Sequence, residues 1–544
     1  MPLKKDTLLK GTLILAAAAL VARGLGIFQR VPLDYVLSDA GNGYFGVANN
    51  VYLLLLVVAT AGIPSAISKM VSQRYALGRV GEAQQVYRAA MLFGAAAGIV
   101  ITLGMLGLAP LIAGPILDEP EAATAIRAIA PSLLLFPMIA MMRGYFQGRQ
   151  FMAAGGISQI VEQILRVVAA VAIAFAIYAG SPHNDEGIAA GASLGSVFGS
   201  IGAFAVMLYY ARKLKARDRL EPLAMRDTSR SLKLKEIYRE LFRLSIPIVM
   251  TAITVQFVYT LDGIMVKSLT RGHFDPDLIL HWWGVLSMNA QAIAGIPVIL
   301  AVALSQSIIP IISAAHAVGD HNRVGNQASL AVRIAIYTGM PMILLLGVGA
   351  FSVNGLLFEK PEGSSIVAML TLGTLFQIGM MVTNSILLGL GKPKKATMHT
   401  ITGIIIKIIL SFALAPWMGV YGIILSTTIC FIWALFFNVL SLRKRSTFNV
   451  IGKAWPGYIA TVAIVAGALW LLQKGVLAIL SGAPDKVAFF FSCAVMGVGV
   501  LALYPTLLVL FRVITAEEMA SYPRPVRKLL GPVFKLVGRT PQRG

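Results

Sequence analysis

The sequence predicts an all-α polytopic membrane protein, and three observations carry that prediction. Apolar residues make up 57% of the 544-residue chain and charged residues 13%, where a soluble domain carries roughly 25% charged. Mean hydropathy is +0.78. Apolar runs long enough to cross a bilayer, about 20 residues each, recur along the whole length, with basic residues gathered in alternate loops. No soluble fold of this length could hide so much apolar surface. The net charge of +22 follows from that loop pattern. No nucleic-acid-binding motif accompanies it, so nucleic acid is not an expected partner.

Fourteen spans are predicted from the apolar runs. Six lie near residues 8–36, 44–72, 86–114, 123–147, 153–180 and 187–212, and form an N-terminal lobe, 1–212. The first run lacks a small-residue cleavage site and leads into further spans, so it reads as a retained helix. A basic linker occupies 213–236, with Lys213, Lys215, Arg217 and Arg219 at its start. It is mildly amphipathic and suits a topology determinant lying on anionic lipid. Six more spans, near 238–270, 281–314, 327–357, 365–390, 396–416 and 419–441, form a second lobe, 237–442. Two final spans near 455–480 and 486–512 lie within 443–513, and 514–544 is a basic tail. With this register the inner loops and termini hold about 36 of the 46 Lys and Arg, and the outer loops about four. Both termini are therefore expected in the cytoplasm.

The two lobes rhyme. Span four ends in Gly144-Tyr145-Phe146-Gln147-Gly148-Arg149, and span five then carries Glu162 and Arg166. Span ten ends in Leu388-Gly389-Leu390-Gly391-Lys392-Pro393, and span eleven carries Lys407, within about two residues of the matching place. Ala61-Gly62-Ile63-Pro64 in span two has a counterpart in Ala294-Gly295-Ile296-Pro297 of span eight. Paired Gly/Pro motifs mark the moving or unwound helices of repeat-built transporters. With an even number of spans in each half, the repeats would be parallel.

Six basic residues lie inside spans: Arg23, Arg30, Arg127, Arg166, Lys267 and Lys407. A charge in hydrocarbon costs at least about 2.5–3.5 kcal/mol, so such residues face a bundle interior, a watery cavity or the headgroups. Arg23 and Arg30 are two turns apart and share a helix face; Arg23 lies at mid-depth, where snorkelling does not serve it, and Pro32 follows. Glu162 and Arg166 stand in the favourable i, i+4 order for an ion pair. That leaves two readings, a neutralised structural pair or an arginine held by Glu162 and released to a phosphate. Lys407 has no acid in its own span, so it either neutralises a partner elsewhere or faces cargo, and cargo is the expectation. Asp262 is a candidate Na⁺ or H⁺ coupling site, with a structural hydrogen bond as its rival. Snorkelling suffices for Lys267 and Arg127. Arg143, at an inner end, is a topology charge or a gate. A chamber lined mainly by cations suits an anionic cargo.

Catalytic chemistry has no visible basis. The histidines fall in loops or near the surfaces, and no HExxH, nucleophile elbow or phosphate loop occurs. Cys430 and Cys493 lie in apolar runs without metal-ligand spacing. Neither an enzyme nor a cofactor is expected.

The opening Leu9-Lys10-Gly11-Thr12-Leu13-Ile14-Leu15 and Ala22-Arg23-Gly24-Leu25-Gly26 resemble the first helix of the multidrug/oligosaccharidyl-lipid/polysaccharide exporter superfamily. Thr60-Ala61-Gly62-Ile63-Pro64-Ser65-Ala66-Ile67-Ser68-Lys69, Arg143-Gly144-Tyr145-Phe146-Gln147-Gly148, Ile157-Ser158-Gln159-Ile160-Val161-Glu162-Gln163 and the Leu388 to Pro393 stretch resemble the branch holding stage V sporulation protein B and the lipid II flippases of Gram-positive bacteria. The resemblance implies two six-helix lobes in a V around a central cavity, with two further helices forming a lipid-tail groove. It implies a bacterial cytoplasmic membrane, a monomer, and flipping of an undecaprenyl-diphosphate-linked peptidoglycan precursor by alternating access, driven by Na⁺, H⁺ or the membrane potential. Its first-helix arginines correspond to Arg23 and Arg30. The Gram-negative branch also carries basic residues in its second and eighth helices, whereas here residues 54–58 are apolar and span eight has no Arg. Substrate contacts would then be shared out to Arg166 and Lys407, with Glu162 beside them. The rivals are a flippase for another polyprenyl-diphosphate glycan and a cation-coupled multidrug antiporter, which would want acids in the cavity.

Overall fold

The computed structural model describes residues 7–514, apart from 39–40, 42–43, 50, 53–61, 117–118, 221–229, 359–360, 444–447, 449 and 451. It is built from helices. α1 is Leu8–Asp34, α2 Ile63–Ala76, α3 Val80–Leu111, α4 Ala122–Ile129, α5 Ser132–Gly148, α6 Met152–Gly180 and α7 Asp185–Leu220. α8 is Leu234–Thr270, α9 Pro276–Gly284, α10 Gln291–Ala317, α11 His321–Val348, α12 Ala350–Leu357 and α13 Ser364–Gly389. α14 is Pro393–Met418, α15 Val420–Arg443, α16 Trp455–Ile479 and α17 Asp485–Leu510.

Among the described residues, 11 segments are long and apolar enough to cross a membrane. They coincide with predicted spans three to six and eight to fourteen. Of the other three predicted spans, the second includes undescribed residues, and the first and seventh include residues whose side chains are not described. α1 and α8 lie in the first and seventh, and α2 takes the inner end of the second. Large apolar side chains such as Val100, Val168, Ile409, Ile459 and Val498 are exposed on the helices, as a surface solvated by lipid requires.

Three predicted spans prove to be composite. The fourth is α4 followed by α5, broken at Ala130 and Pro131, because a proline lacks the N–H that would continue the ladder. The ninth is α11 followed by α12, with Gly349 between them. The eighth runs from α9 through a π-helical turn, Val285–Ala290, into α10.

By packing, the chain divides into two units: Met1–Ala252 with Ile309–Asp320, and Ile253–Ile308 with His321–Gly544. The division falls inside α8 rather than at the linker. The first turns of α8 belong to the first unit because they are pinned there. Tyr238 Oη donates to Ala89 O at 3.1 Å, and Arg74 grips Glu240 through Nη2 at 2.7 Å. The described end of the linker is pinned as well: Leu232 N donates to Gln85 Oε1 at 2.8 Å.

The glycine motifs act by close approach. A Cβ on Gly144 would sit 2.6 Å from Pro64 O, and one on Gly148 2.7 Å from Ser68 O. The RGYFQG stretch is thus a small-residue seam that lets α5 lie backbone to backbone on α2. Gly62 caps α2 with φ +76°, a left-handed conformation that glycine adopts without strain. Its counterpart Gly295 lies within α10, so this pair of matching motifs is not conformationally equivalent.

Candidate functional site

In the first unit, α6 carries Ser158, Glu162 and Arg166 at four-residue intervals, hence on one face. Arg143, near the end of α5, reaches the same face. Its Nη2 donates to Ser158 Oγ at 2.9 Å and to Glu162 Oε2 at 2.8 Å. Arg166 Nη2 donates to the other carboxylate oxygen, Glu162 Oε1, at 3.1 Å and to Tyr52 Oη at 3.0 Å. The Arg166 guanidinium also stands 5.5 Å from the Tyr52 ring centroid, a cation–π contact. α7 crosses closely here: a Cβ on Gly199 would meet Glu162 O at 2.8 Å.

The result is one carboxylate shared by two guanidinium groups, a cluster that among the described residues carries one uncompensated positive charge. Both arginine side chains keep 17% of their surface exposed, and among the described residues the buried Nε of each has no hydrogen-bond partner. A guanidinium group has five N–H donors, so groups held this way keep donors beyond those that Glu162 occupies. The pairing of Glu162 with Arg166 follows the sequence expectation. The sequence placed Arg143 as a topology charge or gate; it is the second holder of Glu162. Tyr52 was not foreseen, because an aromatic residue in an apolar run carries no sign of its partner.

In the second unit Lys407 departs from its expected role. The sequence favoured a cargo-facing ammonium; the structure instead places Lys407 Nζ 2.9 Å from Asp262 Oδ1, with both side chains fully buried. The acid that neutralises it comes from α8. Thr427 Oγ1 donates to the same Asp262 oxygen at 2.8 Å, and Met265 Sδ lies 3.6 Å from Nζ. Among the described residues Asp262 Oδ2 has no partner. In this conformation Lys407 offers no charge to a passing anion. Asp262 makes the structural hydrogen bond that was its rival reading, and its second oxygen remains unused.

Arg23 and Arg30 lie on α1, but their side chains fall outside the described residues. Arg127 is exposed on α4. Cys430 is buried and Cys493 half-buried, both as free thiols.

The matches to known proteins bear on what such an arrangement does. Residues 8–316, more than half the chain, match the family described as Polysaccharide biosynthesis protein. The chain is 25% identical over 487 residues to the Lipid II flippase MurJ of Bacillus subtilis (strain 168), covering 86% of this chain and 88% of that protein. It is 24% identical over 522 residues to Stage V sporulation protein B of the same organism, covering 95% and 98%. A crystal structure of MATE in the straight conformation superposes with a TM-score of 0.66 at 14% identity, over 81% of this chain and 96% of that one, which establishes a common fold. The chain is a multi-pass membrane protein that belongs to the polysaccharide biosynthesis protein family, of MurJ-like type within the polysaccharide exporter superfamily.

Proposed function

We propose that the chain is a flippase that moves lipid II, the undecaprenyl-diphosphate-linked peptidoglycan precursor, from the inner to the outer leaflet by alternating access. The observation that carries this reading is the sharing of Glu162 between Arg143 and Arg166 inside spans. A diphosphate needs guanidinium donors that replace its lost water, and here one positive charge is left over for it. Kinship with a lipid II flippase over most of both chains supports the choice of cargo.

In this reading Arg23, Arg30 and Arg166 contact the diphosphate, and Glu162 holds Arg166 between transport cycles. Arg143 serves as the gate that competes for Glu162. Coupling to H⁺ or Na⁺ belongs at the unused Asp262 Oδ2. The membrane potential acts on the same charges, at about 2.3 kcal/mol per charge per 100 mV. The protein works as a monomer, without a cofactor.

Reconstitution tests the reading. Proteoliposomes carrying the protein should translocate fluorescent lipid II, and vesicles with an unrelated polytopic protein should not; equal rates in both would refute it. In cells, Arg23→Ala should abolish complementation at unchanged expression.

The breadth of the matched family, described by polysaccharide rather than peptidoglycan synthesis, favours one second reading, another polyprenyl-diphosphate glycan as cargo. Depleting the protein and identifying the lipid-linked precursor that accumulates separates the two.

A further inference from the structure

Arg166 and Lys407 are each held by a carboxylate; among the described residues Lys267 is held by an aromatic ring alone. Its Nζ stands 3.4 Å from the centroid of the Trp283 ring, and among the described residues no carboxylate lies within ion-pair distance. The indole quadrupole orients an ammonium without cancelling its charge. The donors on the side away from the ring stay available.

The exposed ammonium borders an open groove of about 410 Å³ lined by Tyr259, Thr260, Gly263, Ile264, Lys267, Trp283 and Gln291, within the size range of small-ligand sites. Tyr259, Gly263 and Lys267 recur every four residues on α8 and share a face; Gly263 leaves the floor between the other two open. The opposite wall is set by the π-helical turn Val285–Ala290, which joins Trp283 to Gln291. Such turns are frequent at functional sites. Gln291 Nε2 donates to Tyr259 O at 3.2 Å. That bond fixes the amide and directs its oxygen to act as an acceptor. Tyr259 is fixed in turn, its hydroxyl donating to Gln377 Oε1 at 2.6 Å.

A charged donor over an aromatic ring, an amide acceptor beside it and an open floor fit an anionic oxygen joined to a hydroxyl-bearing ring. We propose that this cavity is a glycosyl-phosphate subsite, in which Lys267 takes a phosphate oxygen and Gln291, with the edge of Trp283, takes the adjoining sugar. The proposal rests on the flippase reading and concerns the second unit by itself. Snorkelling of Lys267 to a phospholipid would use the same phosphate chemistry from a different source, and the experiment separates the two.

The full-length protein is placed in nanodiscs and titrated calorimetrically with two water-soluble probes, farnesyl diphosphate and farnesyl-diphosphate-N-acetylglucosamine. Lys267→Gln should weaken both by about tenfold, the value of one charge-assisted hydrogen bond. Lys267→Arg, which keeps both the charge and a cation–π contact with Trp283, should stay within about threefold of the parent. Gln291→Leu should weaken the sugar-bearing probe and leave farnesyl diphosphate alone. Thermal unfolding of each variant reports its folding, and the conservative Lys267→Arg keeps the test valid if Lys267→Gln fails to fold. The titrations are run in phosphatidylcholine discs and in phosphatidylglycerol discs. Parent and Lys267→Gln binding both probes alike overturns the subsite and leaves the flippase reading standing. A Lys267 effect confined to phosphatidylglycerol discs assigns the cavity to membrane lipid and also overturns it. A parent protein that binds neither probe removes the flippase reading and the subsite together.

Discussion

Asp262 and Lys407 are each fully buried, so neither can be altered alone without leaving its partner charged in a medium that does not solvate it. Breaking such a pair costs about 3–5 kcal/mol. Asp262→Asn should therefore lower the thermal stability of the detergent-solubilised protein sharply, and Lys407→Met likewise. The combined Asp262→Asn, Lys407→Met variant should recover most of the loss. Additive losses in the double variant would show that the two residues do not depend on each other. Glu162 makes a different prediction. Its replacement by Gln frees two guanidinium groups that keep partial exposure, so binding of farnesyl diphosphate should tighten while lipid II flipping slows, because no carboxylate then draws Arg166 back off the phosphate. Looser binding would remove Glu162 from the cycle. Sequence made the Glu162–Arg166 pair legible, because four-residue spacing on a helix is a local rule. It singled out Asp262 and Lys407 separately and missed their pairing. That contact joins α8 to α14, and no local pattern in either segment records it.

Helix contacts in the lobes are set by small residues and by polar anchors. Gly144 faces Pro64 O so closely that a methyl group at 2.6 Å must push α5 off α2. Gly144→Ala should cost about 1–3 kcal/mol as an overpacked contact. Gly104, with nothing within 4 Å of its would-be Cβ, should tolerate Ala or gain slightly from the better helix former. Comparing the two melting temperatures isolates packing from propensity; equal shifts would deny the seam. Polar anchors work alongside. Asn438 Nδ2 donates to Thr383 Oγ1 at 3.0 Å and to Asn384 Oδ1 at 2.7 Å, while its Oδ1 lies 2.8 Å from His399 Nδ1, joining α13, α14 and α15. Lys486 at the start of α17 donates to Gly355 O at 2.9 Å, capping the carbonyl end of α12. In the first unit Gln85 clasps the linker through Arg230 O and Leu232 N. Gln85→Ala should speed tryptic cutting in the linker while leaving the melting temperature nearly unchanged. Eleven of the predicted spans were legible from apolar length. The breaks at Ala130, at Gly349 and in the π-helical turn were not, since membrane helices admit Pro and Gly without breaking at each. α1, α3, α5, α11, α14 and α17 all carry an internal proline.

At the scale of the whole molecule, the alternation of basic loops predicts an orientation that can be tested directly. A cysteine placed at His183 should react with a membrane-impermeant maleimide in intact cells. One placed at Lys215 should react only after lysis, and the reverse would invert the topology. Orientation matters to function because the proposed cargo moves outward. MATE neighbours share the fold over 81% of this chain, but a fold does not choose between a cationic drug and an anionic lipid. The choice falls to the charge of the site, which in the first unit is two arginines on one acid. The most direct measurement is the rate of fluorescent lipid II translocation in proteoliposomes by the parent protein and by Arg166→Gln, reconstituted at equal density. Rapid translocation by the parent, falling about tenfold or more in the variant, is the predicted result; undiminished translocation by Arg166→Gln would contradict the account.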